Sequence, residues 1–162
     1  MSLSITGQVV KKDSVKTREK AIPDRVVYKK EMSKSEIEQL GDVSFNTVET
    51  VPVYPGCTSE ENRVLKNCFN QKVGEHIANS FDFKLPNTLG LSPGKKRMLL
   101  MFRINKNGLV DNIIVKAPHP KLKEEGERVL KLLPKFTPGK IQGESVPVTF
   151  TLPLRFDVTN TN

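Results

Sequence analysis

Val146–Val158, VPVTFTLPLRFDV, is the stretch whose pattern decides the fold. Its even positions, Val146, Val148, Phe150, Leu152, Leu154, Phe156 and Val158, are all apolar, and its odd positions are Pro147, Thr149, Thr151, Pro153, Arg155 and Asp157. Alternation of period two over this length predicts a β-strand with one face on a core and the other toward water. Successive strand residues aim their N–H groups at opposite edges, so prolines at two odd positions strip donors from one edge only. Such an edge is no fully bonded interior seam, which predicts a strand at the border of the sheet. An open edge either recruits an extended partner by strand addition or is blunted by its prolines against aggregation. The strand by itself favours the second reading.

Working back from this strand, Thr137-Pro138-Gly139-Lys140 turns the chain into it. Before the turn, His119-Pro120 opens a helix with Leu122, Val129, Leu130 and Leu133 on one face, ended by Pro134. Met98, Leu100, Phe102 and Ile104 alternate with Arg97 and Arg103, while Leu99 and Met101 leave the second face half apolar. Asn105-Lys106-Asn107-Gly108 follows, a hairpin signal between apolar runs. The return strand, Leu109–Ala117, needs a bulge or a face change to bury both Val110 and Ile113. Thr58-Ser59-Glu60-Glu61 has capping-box spacing, and Val64, Leu65, Cys68, Phe69, Val73, Ile77 and Phe81 recur at helical intervals behind it, predicting a helix over 59–80. The order helix, hairpin, helix, strand predicts an α+β fold, a small antiparallel sheet (hairpin plus C-terminal strand) with two helices packed on one side.

Residues 1–50 read as a loosely structured segment or a small β-α-β appendage, and residues 51–162 as the domain proper. Strand candidates in the first part are Ile5–Val10 and Arg25–Tyr28, and Ser33–Glu36 has capping-box spacing ahead of a short helix ended by Gly41. The chain has 162 residues, with 36% hydrophobic content and a net charge of +8. The charge is uneven: residues 1–50 hold nine basic and eight acidic groups, and residues 51–162 hold seventeen and ten. A basic domain suggests an acidic partner, a nucleic acid or an anionic membrane surface. Scattered lysines without aromatic stacking platforms argue against nucleic acid. No apolar run reaches bilayer length and no signal peptide is visible.

No phosphate loop or paired catalytic motif occurs. Cys57, Cys68, His76 and His119 could supply four zinc ligands, but at spacings that match no compact zinc module. The two cysteines are compatible with one disulfide in an oxidising compartment, which is favoured over free thiols and over zinc. A cysteine–histidine nucleophile would lack a third orienting group. His76 reads as half-buried packing. These residues describe a binding module without cofactor or metal rather than an enzyme.

Tyr54-Pro55, the amphipathic helix, the Phe102–Gly108 hairpin, Leu132–Lys140 and the final alternating strand together resemble the carboxy-terminal domain of TonB-family energy transducers, over roughly residues 51–158. The version resembled carries a Tyr/Phe-Pro-Gly-Cys start and a second cysteine early in the helix, here Cys57 and Cys68. The resemblance implies a periplasmic domain, tethered to the inner membrane and energised by an ExbB–ExbD complex through an N-terminal anchor that this sequence lacks. It implies that the domain grips the TonB box of outer-membrane transporters by strand addition for active import. In the family the transporter segment pairs with the last strand, which brings forward Thr149, Thr151, Arg155 and Asp157 and raises the recruiting-edge reading above the protective one. The family's arm before Tyr-Pro also meets the transporter, which adds Val51, Pro52, Val53 and Tyr54. A glutamine that some members carry there is replaced by Val51. A homodimer is compatible with the same resemblance.

Two departures open a second reading. The anchor and the proline-rich spacer of the family are missing, and residues 5–50 are unlike such a spacer. Arg25–Leu40 weakly resembles the small β-rich segment that precedes TonB-like tails in membrane metallopeptidases of the BlaR type. The alternative is a ligand-sensing or scaffold module at the tail of a membrane-anchored regulator. A third reading is a soluble thiol or zinc enzyme.

Overall fold

The computed structural model describes residues 31–159. The strand candidates at Ile5–Val10 and Arg25–Tyr28 lie outside the described residues. In chain order the elements are α1 (Lys34–Gln39), β1 (Val43–Ser44), α2 (Asn62–Ser80), a single 3-10 turn (Leu85–Thr88), β2 (Gly94–Ile104), β3 (Val110–Lys116), α3 (Pro120–Lys131), β4 (Gly139–Ile141), β5 (Glu144–Val146) and β6 (Val148–Val158). The fold is α+β. Its main sheet has the order β1-β6-β2-β3, and β4 and β5 form a separate two-stranded ribbon.

The long antiparallel pair β2–β6 is the spine. Every residue from Gly94 to Ile104 faces one from Val158 to Val148, so even residues oppose even residues and the two apolar faces coincide. Met98, Leu100, Phe102 and Ile104 meet Leu154, Leu152, Phe150 and Val148 on this inner face. β3 joins with the expected bulge. Arg103 pairs with Asp111 and Met101 with Ile114, so Asn112 and Ile113 together stand opposite Phe102, and Asn112 takes a positive φ of 45°. The extra residue switches the inward set from even to odd, which lets Val110 and then Ile113 and Val115 turn toward the core.

The helices pack on the inner face. Leu65, Phe69, Val73 and Ile77 form the buried stripe of α2, while Val64 lies off that stripe and is exposed. The helix begins at Asn62, later than expected. The Thr58–Glu61 capping box does not form: Ser59 Oγ accepts the Glu61 N–H instead, and Asn62 Oδ1 turns away to accept the Val51 N–H. α3 begins where expected, with His119 Nδ1 accepting the Lys121 N–H and Pro120 at the first position. Gly126 brings this helix down onto the sheet, since a Cβ there would sit 3.0 Å from Leu100, Met98 and Val115 side chains.

Three expectations need correction. The strand does not run unbroken from Val146. Val146 ends β5, paired with Gly139, and Pro147 marks the break before β6. The signal for this ribbon was the turn Gln142-Gly143, where both residues take positive φ. The sheet is also not wholly antiparallel, because β1 adds parallel to β6 at Val148 and Thr149. β6 is therefore not the border strand at its start. Finally, residues 31–50 are not loose: Ile37, Phe45 and Val48 are buried in the common core, and Phe45 lies 4.5 Å from the Phe69 ring and 4.9 Å from the Phe150 ring. The Ser33 capping box holds α1, with Ser33 Oγ accepting the Glu36 N–H and Glu36 Oε2 accepting the Ser33 N–H.

Candidate functional site

The odd-numbered edge of β6 points away from β2, and its first portion is already occupied. Val43 N–H donates to the Pro147 carbonyl at 2.9 Å and Phe45 N–H to the Thr149 carbonyl at 3.0 Å. Thr149 stands opposite Ser44. The expectation that Thr149 offers a free main-chain donor is corrected by this: β1 covers that position. Beyond it, no described strand pairs with this edge. Thr151, Pro153, Arg155 and Asp157 are exposed along it. Pro153 has no N–H, so the main-chain donors on this part of the edge are Thr151, Arg155 and Asp157.

The odd side chains of β2 and β6 form the outer face of the sheet, and no described helix covers it. Three stretches of it differ in character. At one end Lys95 stands opposite Asp157 and Arg97 opposite Arg155. In the middle Leu99 and Met101 are half-buried beside Pro153 and Thr151, and Ile114 is exposed next to Met101. At the far end Arg103 donates from Nε to Asp111 at 2.6 Å and from Nη1 to Asp42 at 3.1 Å, and Asn105 donates to the other Asp111 oxygen at 3.0 Å. Arg103 and Asn105 hold the Asp111 carboxyl below its usual range against the opposing effect of burial. This network ties the segment leading into β1 to the hairpin. Sequence reading placed Arg103 on this face and missed Asp42 and Asp111, because their partnership depends on β1 returning beside β6.

The arm is built into the domain. Thr50 and Lys140 exchange N–H donors at 3.0 and 2.9 Å, and so do Val53 and Thr137 at 2.9 and 3.0 Å. Val51 is 0% exposed and Pro52 is buried too, so neither side chain is on the surface to meet a partner. That corrects the expectation for those two. Val53 and Tyr54 are half-buried, and the Tyr54 ring packs edge-on to Phe136 at 5.4 Å. Cys57 and Cys68 form a disulfide with their Cα atoms 6.0 Å apart, which fastens the arm to the first half of α2. Neither sulfur is then a thiol, so in this state neither serves as nucleophile or metal ligand. His76 Nε2 lies 2.9 Å from the Val129 carbonyl and joins α2 to α3. Among the described residues no group of His, Cys, Asp or Glu is placed to hold a metal, and no helix is long and apolar enough to cross a membrane.

Residues 97–158 match the family model for the Gram-negative bacterial TonB protein C-terminal region. This part of the chain is a TonB-family C-terminal domain. The match opens inside β2 and closes at the end of β6, so it covers the three-stranded antiparallel core with α3 and the small ribbon. The TonB C-terminal domain is a periplasmic, transport-related and non-enzymatic one. α1, β1, the arm and α2 lie before the matched residues. No curated protein matches the chain.

Proposed function

We propose that this domain docks an extended segment of an outer-membrane transporter, the TonB box, along the open part of β6 and passes on mechanical work for active import. The single observation that carries the reading is the run Thr151–Asp157, an exposed strand edge with no described neighbour in a domain of the TonB family. A row of unpaired N–H and C=O groups is a template for an added strand, and such addition needs little from the partner's sequence. The long pairing of β6 with β2 anchors that edge in the sheet, as pulling on a docked strand requires. Val53 and Tyr54 flank the ribbon and are secondary contacts in this reading. In the parent protein, force would reach the domain from an ExbB–ExbD complex at the inner membrane.

The test is amide NMR of the chain titrated with peptides from the amino-terminal segments of outer-membrane transporters. Strand addition should shift and protect the amides of Thr151, Arg155 and Asp157 while leaving Thr149 unchanged. Perturbations confined to the helices would refute docking at β6.

A further inference from the structure

Four cations gather at one end of the outer sheet face. Arg97 stands directly opposite Arg155, Lys95 lies one row outward opposite Asp157, and Lys116 lies one row inward opposite Leu99. All four are exposed, and none of their side chains has an ion pair or hydrogen bond among the described residues. Like charges in directly opposed positions weaken a sheet. Arg103 at the other end of the face has Asp111 and Asp42 as counter-ions, whereas Asp157 is the one acid in the three cationic rows. Arg97 also borders two grooves, one of about 460 Å³ with Lys95 and Arg155 and one of about 260 Å³ with Leu99 and Lys116. Each groove has cations on its rim and room for a phosphate group. Beside them lies an apolar strip, with Leu99 and Met101 half-buried and Ile114 47% exposed next to Met101.

We propose that the outer face of the sheet lies on an anionic phospholipid surface, with Lys95, Arg97, Lys116 and Arg155 on lipid phosphates and Ile114 at the boundary between headgroups and acyl chains. This inference does not depend on strand addition at β6. Neighbouring strands lie about 4.8 Å apart and alternate residues about 7 Å apart along a strand, so the cations form a two-dimensional patch across β6, β2 and β3. An extended segment beside β6 follows one line and misses Lys116 on the far strand. A plane of phosphates meets all four at once. Guanidinium groups take phosphate oxygens in pairs, and the lysines add point charges. Apolar side chains next to basic ones are the arrangement that interfacial binding uses, the first entering the boundary and the second holding headgroups.

Charge and chemistry decide against other occupants. Residues 1–30 hold eight basic and three acidic groups, a net of +5, and would bring more positive charge to the patch. A second copy laid face to face brings the same four cations and a further +8. The paired rows of this face carry no aromatic side chain on which bases could stack. A phosphate surface complements the patch and these do not.

The experiment measures flotation of the full chain with vesicles of phosphatidylcholine alone and of equal parts phosphatidylcholine and phosphatidylglycerol, at low and at high salt. Partitioning should be about a hundredfold stronger onto the anionic vesicles, from about fivefold for each net charge of the patch, and should fall as salt rises. Arg97→Gln with Lys116→Gln should lower it about twentyfold. The same change of charge on α3, Lys121→Gln with Lys131→Gln, should lower it less than about threefold, because that helix packs on the opposite side of the sheet. The chain has no tryptophan, so Ile114→Trp supplies a single reporter whose emission should shift to the blue on anionic vesicles, whereas Val64→Trp on α2 should not respond. Equal losses in the two glutamine pairs, or equal shifts at both tryptophans, would show attraction by net charge alone and overturn the assignment to this face. No flotation with anionic vesicles at low salt would overturn it as well. Binding of soluble polyglutamate in place of vesicles, lost in the Arg97→Gln, Lys116→Gln chain, would assign the face to an acidic protein and refute the lipid.

Discussion

The main-chain oxygen of Phe136 occupies the place a side chain on Gly108 would need. A Cβ on Gly108 would lie 1.9 Å from that oxygen, and the Phe136 N–H donates back to the Gly108 carbonyl at 2.9 Å. The β2–β3 turn is thereby locked to the segment between α3 and the ribbon. Gly108 also has a φ of +80°, which other residues adopt only with strain. Gly108→Ala should lower stability by about 2–4 kcal/mol, from the clash together with the backbone conformation. Chemical denaturation checks this. A loss under about 0.5 kcal/mol would mean that the Phe136 segment swings away freely.

The Cys57–Cys68 disulfide closes a loop with a sequence separation of 11 residues. Chain entropy gives a bridge of this span about 3 kcal/mol. Reduction should therefore lower the unfolding midpoint and loosen the Tyr54–Phe136 contact, visible as increased exchange of the Val53 amide. Alkylation without reductant, on protein prepared under oxidising conditions, should leave the mass unchanged. Two added alkyl groups would show free thiols.

Legibility along this chain follows how local each signal is. The helix at α3 is fixed within four residues by His119, Pro120 and the Leu122 stripe, and the β2–β3 turn by Asn105–Gly108, so both were readable. That β3 needs a bulge or a face change was readable too, from Val110 and Ile113, and the register shift opposite Phe102 is the bulge. What stayed hidden depends on distant partners. β1 is two residues long, and it pairs as it does only because Phe45 drops between Phe69 and Phe150. The prolines of the arm give only an extended segment, and nothing local shows that Thr137 and Lys140 supply its hydrogen bonds from beyond α3. Asn62 illustrates the same limit: a helix-start residue in sequence, it serves Val51 in space.

The Arg103 network predicts an acid-side loss of stability. Asp111 has a folded pKa below its unfolded value, through Arg103 first and Asn105 after, with burial opposing. A depressed carboxyl contributes stability that is present above the unfolded pKa of about 4 and disappears as pH falls through the folded value. Both side chains are about one-third exposed, at 32% and 36%, so solvent screening keeps the effect near 1 kcal/mol. Asp111→Asn should cost about that much at pH 7, and the gap to the parent should close as pH falls below about 4. A pH-independent difference would assign the loss to hydrogen-bond geometry alone.

Phe102 and Phe150 face one another across β2 and β6, their ring centroids 5.5 Å apart and both buried beneath the helices. Phe150 also touches the Phe45 and Phe69 rings, so it links β1 and α2 to the sheet. Truncation of either to alanine should cost about 3–5 kcal/mol. Loss of Phe150 should in addition raise amide exchange in β1, whereas loss of Phe102 should leave β1 protected. Equal effects on β1 would mean that Phe45 is held by α2 alone.

Thr149 and Thr151 differ by one step along the same edge, and proline separates their roles. Thr149 lies against β1, with its carbonyl taken by the Phe45 N–H and its hydroxyl donating to the Val43 carbonyl at 3.4 Å. Thr149→Pro places a ring where Val43 and Ser44 pack and removes the donor facing β1. It should destabilise the domain by about 2–4 kcal/mol and release the segment around Phe45. Thr151→Pro removes a donor that no described residue uses, so the fold should change by about 1 kcal/mol or less. Transporter peptides that pair along β6 would lose a main-chain hydrogen bond there and meet the proline ring, and their affinity should fall about tenfold or more. Thr151→Ala keeps the donor and should bind like the parent. Thermal unfolding and peptide affinity, measured side by side for the three variants, decide the matter. If Thr151→Pro unfolds the domain, that edge is paired within the molecule. If it stays folded and binds unchanged, the peptide docks elsewhere.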